Sequence, residues 1–149
     1  DVRGRSQLLG EVFDTPCIAL RTSLIGRDLS RKPGLLEWFL AQSGRPVKGY
    51  RRAIFSGFTT LEMARVIERV LTGPGPTHGL FHASSTAISK HDLLMRLRER
   101  MRLEIAIEPD DALVCDRSLD STLFRTAFGY APPSWDAMLD EIAAEIRES

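Results

Sequence analysis

Apolar positions recur along the chain at two spacings, and the alternation between them predicts the order of elements. Leu8, Leu9, Val12 and Phe13 fall at helical spacing, so residues 4–14 read as the end of a helix. Asp14-Thr15-Pro16 closes it, because Pro has no N–H to donate and disfavours helix in the residue before it. Cys17-Ile18-Ala19-Leu20 is an unbroken apolar run too short for a helix, and predicts a buried strand running into polar Arg21-Thr22-Ser23. Gly26 to Gly34 reads as a loop. Leu35, Leu36, Trp38, Phe39 and Leu40 predict a helix stopped by Gly44-Arg45-Pro46.

Ala53-Ile54-Phe55 predicts a further strand. Thr59-x-x-Glu62 has the form of a capping box, in which each side chain reaches the other residue's backbone N–H. The helix it opens is expected to place Leu61, Ala64, Val66, Ile67, Val70 and Leu71 inside, and Gly73-Pro74-Gly75-Pro76 ends it. Then follow a strand at Gly79–Ala83 and a Ser89-capped helix to about Met101, with Ile88, Leu93, Leu94 and Leu97 on its apolar face. A strand at Leu103–Ile107, a short helix near Ser121–Phe128, the Gly129–Pro133 breaker and a Ser134-capped terminal helix complete the series. The pattern is mixed α/β with short strands.

Composition changes this picture little. A chain of 149 residues buries roughly 68–70% of its unfolded surface, enough for one compact core. With 43% hydrophobic and 27% charged residues, disorder is not expected. Twenty basic residues balance 20 acidic ones, which removes the electrostatic argument for a nucleic-acid or acidic-membrane partner. No apolar run approaches the roughly 20 residues that span a bilayer, and Asp1–Ser6 carries no apolar stretch of a signal peptide. Cys17 and Cys115 read as buried thiols in a reducing cytosol, so a cytoplasmic location is expected. Seventeen of the 20 basic residues are Arg, and the chain starts without a Met.

Few residues carry chemistry by type and spacing alone. His78 and His82 stand four apart, but Gly79 and the strand reading put them on an extended segment, so no metal is expected. The run Arg96, Arg98, Arg100 and Arg102 wraps around a helix and reads as a solvated C-terminal end. Trp38 and Trp135 sit on amphipathic helices and read as core or interface. Arg21, Thr22 and Ser23 lie just past a buried strand, where open α/β sheets gather ligand groups. They either contact substrate, or form an ion pair and a turn cap.

Four segments in order resemble the C-terminal half of an extended short-chain dehydrogenase/reductase. This is the group of nucleotide-sugar epimerases, dehydratases and dTDP-4-dehydrorhamnose reductase. Arg3-Gly4-Arg5-Ser6-Gln7-Leu8-Leu9-Gly10-Glu11 resembles its Tyr-Gly-x-Ser-Lys-x-x-x-Glu catalytic helix. Ile18-Ala19-Leu20-Arg21-Thr22-Ser23 is similar to the Leu-Arg-Thr-Ser strand of the rhamnose-type reductases. Gly57-Phe58-Thr59-Thr60-Leu61-Glu62-Met63-Ala64 resembles a Gly-x-Pro-Thr-x-x-x-x-Ala helix start. Arg117-Ser118-Leu119-Asp120-Ser121 and Phe128-Gly129-Tyr130-x-Pro132-Pro133-x-Trp135 are similar to the closing segment.

The resemblance implies an α/β fold: the edge of a Rossmann-type parallel sheet plus a small mixed α/β substrate-binding lobe, in one unit of residues 1–149. It implies a nucleotide-sugar-like ligand and NAD or NADP in the complete protein. It also implies that Arg117 holds a nucleotide diphosphate, where a planar fork suits phosphate oxygens, the alternative being a salt bridge to Asp116, Asp110 or Asp111. Lys48, Tyr50, Arg51 and Arg52 form the other basic stretch on the expected cleft. Tyr50 either stacks on a base or ends a half-buried strand.

Two departures qualify the activity. Arg3 and Gln7 stand where the family has its catalytic Tyr and Lys; Arg exchanges no proton near neutral pH and Gln carries no charge to lower a neighbour's pKa. The Gly-x-x-Gly-x-x-Gly turn that cradles a pyrophosphate is not in these residues. The expectation is a substrate-side portion that neither turns over alone nor binds NAD(P) tightly, and that self-associates or pairs with a missing N-terminal half. A non-catalytic binding or scaffolding relative is the alternative.

Overall fold

A computed structural model describes residues 16–27 and 34–148. Its strands are β1 (Ile18–Arg21), β2 (Leu24–Ile25), β3 (Val47–Tyr50), β4 (Ala53–Phe55), β5 (Phe58–Thr59), β6 (Gly79–His82), β7 (Ile88–Ser89), β8 (Ile107–Asp110) and β9 (Cys115–Asp116). Its helices are α1 (Leu35–Leu40), α2 (Thr60–Thr72), α3 (Lys90–Met101), α4 (Thr122–Phe128) and α5 (Trp135–Glu148). The predicted helix end at residues 4–14 lies outside the described residues, as do Arg3 and Gln7.

Pairing is short-range in register and long-range in sequence. β1 runs parallel to β6 with Arg21 opposite His82, and β2 parallel to β5 with Leu24 opposite Phe58. β3 and β8 form a parallel pair, and β4 lies between antiparallel β7 and parallel β9. The expected α/β class with parallel strands and covering helices is therefore the one observed.

The core collects Leu36 and Phe39 of α1, Leu93, Leu94 and Leu97 of α3, and Met138, Leu139 and Ile142 of α5. An aromatic cluster of Phe81, Phe124 and Phe128 continues it, with Phe124 and Phe128 centroids 4.9 Å apart, a spacing typical of offset ring pairs. Trp135 is buried and donates from Nε1 to the Thr86 carbonyl at 2.8 Å, while Trp38 is half-buried.

Local capping chemistry predicts the helix starts well. Glu62 N–H donates to Thr59 Oγ1 at 3.2 Å and Asp92 N–H to Ser89 Oγ at 3.0 Å. Ala137 N–H donates to Ser134 Oγ at 3.2 Å at the start of α5. The Thr59 box closes on one side only, because the Glu62 carboxylate turns inward to Tyr130 and Arg65 instead of back to the Thr59 backbone.

Four other expectations are corrected. On α2 only Val66 of the predicted inward face is buried and Val70 partly so; Leu61, Ala64, Ile67 and Leu71 are exposed, Leu71 by 77%. Periodicity identifies an apolar stripe, but no other described element covers it. The strand expected at Leu103–Ile107 begins only at Ile107 and runs through Pro109; with β3 its only partner among the described residues, β8 is an edge there, where a missing N–H is tolerated. Ile88 is buried on β7, one step before the helix expected to carry it. Arg96 and Arg100 are not simply solvated. Arg96 donates to Asp136 at 2.6 Å, and Arg100 to Asp136 at 2.5 Å and Asp140 at 2.7 Å, tying α3 to α5. No helix among the described residues is long and apolar enough to cross a membrane.

Candidate functional site

The C-terminal ends of β1 and β6 carry the polar residues singled out from the sequence. Arg21 is the last residue of β1 and is exposed; its carbonyl accepts from Ala83 N–H at 2.9 Å, locking the two strand ends together. Thr22 and Ser23 follow, half-buried. The Ser23 carbonyl accepts from Phe58 N–H at 2.9 Å, which holds this segment against the start of β5. The approach is so close that a Cβ on Gly57 would stand 2.2 Å from the Ser23 carbonyl oxygen, so only glycine fits there.

A network of small hydroxyls fixes the loops around these strand ends. Ser85 N–H donates to the Ser56 carbonyl at 2.8 Å, and Ser85 Oγ to the Gly57 carbonyl at 2.6 Å. Ser84 Oγ donates to the Leu119 carbonyl at 2.9 Å, Leu119 N–H donates to Ser56 Oγ at 2.9 Å, and Ser121 Oγ donates to the Ser84 carbonyl at 3.2 Å. Arg125 reaches back to Ser121 Oγ at 2.9 Å and to the Ser84 and Ser85 carbonyls at 3.3 Å. Ser56, Ser84, Ser85 and Ser121 are all buried, so each needs the partner it has. Ser56, Ser84 and Ser85 belong to no motif spacing in the sequence. Their signal is the run of small polar residues after a strand, Ala83-Ser84-Ser85-Thr86, echoed by Ser118 and Ser121.

The network positions the segment that carries Arg117. Its backbone N–H donates to the Ile54 carbonyl at 3.1 Å, continuing the β4–β9 ladder, and its side chain is exposed. The three carboxylates considered as its partners are engaged elsewhere. Asp116 accepts from Ser118 N–H at 2.8 Å and Ser118 Oγ at 2.6 Å, which hold its carboxyl below the usual range. Asp110 accepts from Lys48 at 3.0 Å and from Ala112 N–H at 2.7 Å, and Asp111 pairs with Arg51. Among the described residues, Arg117 has no hydrogen-bonded or ion-paired side-chain partner. Asp120, in the same segment, is held low by Thr122 and by the charges of Arg125 and His82. Arg21 and His82 thus face each other at one end of the β1–β6 pair, with Asp120 near enough to feel the His82 charge.

Lys48 and Tyr50 lie on β3, in the separate sheet with β8. Asp110 raises the Lys48 ammonium above its ordinary range, by hydrogen bond and charge, and the half-buried Tyr50 ring lies 5.4 Å from the Lys90 ammonium. His78 is exposed and His82 half-buried. No group of three or more His, Cys, Asp or Glu among the described residues is arranged to hold a metal ion.

Among the described residues, two glycines stand close together after a helix. Gly73 and Gly75 follow the end of α2 rather than opening a helix, and a Cβ on Gly75 would stand 2.7 Å from the Phe128 ring.

This α/β fold, with its parallel β1–β6 pair, is similar to the C-terminal half of the extended short-chain dehydrogenases/reductases. No family model matches the chain, and no curated protein matches it in sequence. Among solved structures, it is similar to dTDP-4-dehydrorhamnose reductase from Bacillus anthracis in complex with NADP (TM-score 0.70, 15% identity, covering 86% of this chain and 48% of that one). It is also similar to UDP-glucose 4-epimerase from Thermotoga maritima with UDP-glucose (TM-score 0.68, 16% identity, 88% and 46%). A third is WbmH from Bordetella bronchiseptica in complex with NAD+ (TM-score 0.62, 26% identity, 88% and 45%). The chain spans about half the length of these relatives. The resemblance drawn from the sequence holds at the level of the fold.

Proposed function

We propose that this chain supplies the substrate side of a nucleotide-sugar epimerase, dehydratase or reductase that works with NAD or NADP, the dinucleotide being held by a half that these 149 residues do not encode. The observation that carries the reading is Arg117: an exposed guanidinium on an immobilised loop, with the nearby carboxylates already paired. A planar fork of donors in that state suits a diphosphate. Arg21, Thr22 and Ser23 at the end of β1 are proposed to meet the sugar, and Lys48 and Tyr50 to lie at the periphery of the ligand's nucleotide end.

The exposed face of α2 supports pairing with another half. Ile18 and Leu20 of β1 and Met63, Ile67, Val70 and Leu71 of α2 line an open groove of about 560 Å³. Among the described residues, β1 pairs only with β6. Burying an exposed Leu or Ile there contributes about 1.5–3 kcal/mol each, and an open strand edge invites pairing. Self-association is the same surface's other outcome.

Titration calorimetry of the chain with UDP-glucose and UDP tests the site. The expected result is binding that weakens at least tenfold in Arg117→Ala, with the urea midpoint unchanged. No binding of either ligand, or equal binding by the variant, overturns it. Arg3 and Gln7 favour a second reading, a non-catalytic binding relative. Supplying a cofactor-binding half to a chain carrying Arg3→Tyr and Gln7→Lys separates the two: a gain in turnover supports the enzymatic origin, and no gain supports the binding role.

A further inference from the structure

Arg125 stands midway along α4, half-buried, and its guanidinium donates to three neutral oxygens on two different segments. Nε donates to Ser121 Oγ at 2.9 Å, at the end of the segment that leads from β9 into α4. Nη2 donates to the Ser84 and Ser85 carbonyls, each at 3.3 Å, in the segment that follows β6. Among the described residues, no carboxylate is hydrogen-bonded to this guanidinium. Asp120 feels its charge but is itself bonded to Thr122 N–H at 2.9 Å.

The segment 117–121 carries the exposed Arg117 side chain and is tied down along its length. Arg117 N–H donates to the Ile54 carbonyl at 3.1 Å, and Leu119 N–H to Ser56 Oγ at 2.9 Å. The Leu119 carbonyl accepts from Ser84 Oγ at 2.9 Å. At its far end the tie is a closed ring of three residues. Ser121 Oγ donates to the Ser84 carbonyl at 3.2 Å, Arg125 Nη2 donates to the same carbonyl, and Arg125 Nε donates back to Ser121 Oγ. Ser84 and Ser121 are 0% and 4% exposed, so these polar groups depend on protein partners. Only a planar fork serves both segments at once; an ammonium offers a single nitrogen.

We propose that Arg125 is a positioning residue for the diphosphate site read at Arg117, fixing the Arg117 segment against the segment after β6. The inference rests on that reading of Arg117. Arg125 acts through the loop, since its Nε and Nη2 donors are engaged by protein oxygens. Removing the guanidinium takes a donor from the Ser121 hydroxyl and from the Ser84 and Ser85 carbonyls, while the backbone bonds of Arg117 and Leu119 remain. The segment keeps its course but gains freedom, and ordering it then costs binding energy.

Titration calorimetry with UDP-glucose and amide hydrogen exchange, both on the whole chain, test this in Arg125→Met and Arg125→Lys. The lysine keeps the charge without the fork, and the methionine keeps neither. Both variants are expected to bind UDP-glucose roughly three- to tenfold more weakly than the wild type. The Leu119 amide should exchange several-fold faster in both, with the α3 amides of Leu94 and Leu97 unchanged. With Arg117→Ala already present, either Arg125 substitution should add little further loss, because the two residues act as one unit.

Wild-type affinity in either variant overturns the proposal and leaves the reading of Arg117 intact; in Arg125→Lys it would mean that charge alone suffices. Equal losses with and without Arg117 overturn it as well. So does faster exchange in α3, since Arg125 would then support the whole fold rather than one loop. Absence of UDP-glucose binding by the wild-type chain overturns the reading of Arg117, and this inference with it.

Discussion

Replacing Tyr130 with Phe removes one oxygen and leaves the ring in place. That ring packs edge-on against Phe58 at 6.0 Å and against Phe124 at 5.6 Å, contacts that Phe retains. What is lost is the hydrogen bond from the Tyr130 hydroxyl to Glu62 Oε1, at 2.7 Å. Glu62 is only 4% exposed, and its other oxygen accepts from Arg65 at 3.0 Å. A hydrogen bond to a buried charged acceptor is worth roughly 1.5–3 kcal/mol, so Tyr130→Phe is expected to lower stability by about that much. For a chain of this size the melting temperature then falls by roughly 3–12 °C.

The same contact sets an alkaline limit. Burial, then the Glu62 carboxylate, push the Tyr130 hydroxyl well above its ordinary range. A group whose pKa is raised on folding contributes stability below its unfolded value and loses it as pH rises. The wild-type stability contributed by Tyr130 is therefore full below about pH 10 and declines above it. Urea unfolding of both proteins from pH 7 to 11 reads the two effects together: a constant gap up to about pH 10, then convergence. Equal stability at neutral pH, or a gap that widens above pH 10, refutes the reasoning.

The remaining predictions concern the site and its supports. Gly57→Ala places a methyl 2.2 Å from the Ser23 carbonyl and 2.4 Å from the Phe55 ring, and is expected to cost about 1–3 kcal/mol in urea unfolding and to weaken ligand binding with it. Asp136→Asn removes the acceptor shared by Arg96 and Arg100, which hold that carboxyl below its usual range. Its stability deficit should be largest at low salt and neutral pH, shrink in high salt, and begin to shrink as pH falls below about 4, closing only at the still lower pH where the folded wild-type carboxylate protonates. Leu71→Lys, on the exposed face of α2, should leave the urea midpoint unchanged while reducing any concentration-dependent association seen by sedimentation.

Helix and strand positions were largely legible because their signals are local. Thr59, Ser89 and Ser134 each cap through an N–H three residues on, a relation visible in the sequence itself. The apolar run before Arg21 predicts β1 nearly to the residue. Burial was less legible. The stripe Leu61, Ala64, Ile67 and Leu71 has a core-facing pattern, yet periodicity says only that a face seeks cover, and in this chain Leu61 and Ile67 remain 46% and 44% exposed. The sequence placed Arg21, Thr22 and Ser23 at a strand end and Arg117 before a helix, but not the serine network that holds their loops together.

By itself, then, the sequence determined the order of elements, the helix starts, the α/β class and the likeness to the C-terminal half of the extended short-chain dehydrogenases/reductases. All of these rest on spacing, capping and turn chemistry within a few residues. The tertiary structure alone decided which charges are engaged and which are not. Tyr130 meets Glu62 across 68 positions, Arg65 meets Glu141 across 76, and Arg51 meets Asp111 across 60. Such pairs form only where packing brings distant segments within hydrogen-bond reach, so no local pattern announces them. They leave Arg117 exposed just past β9, and Lys90 between two rings.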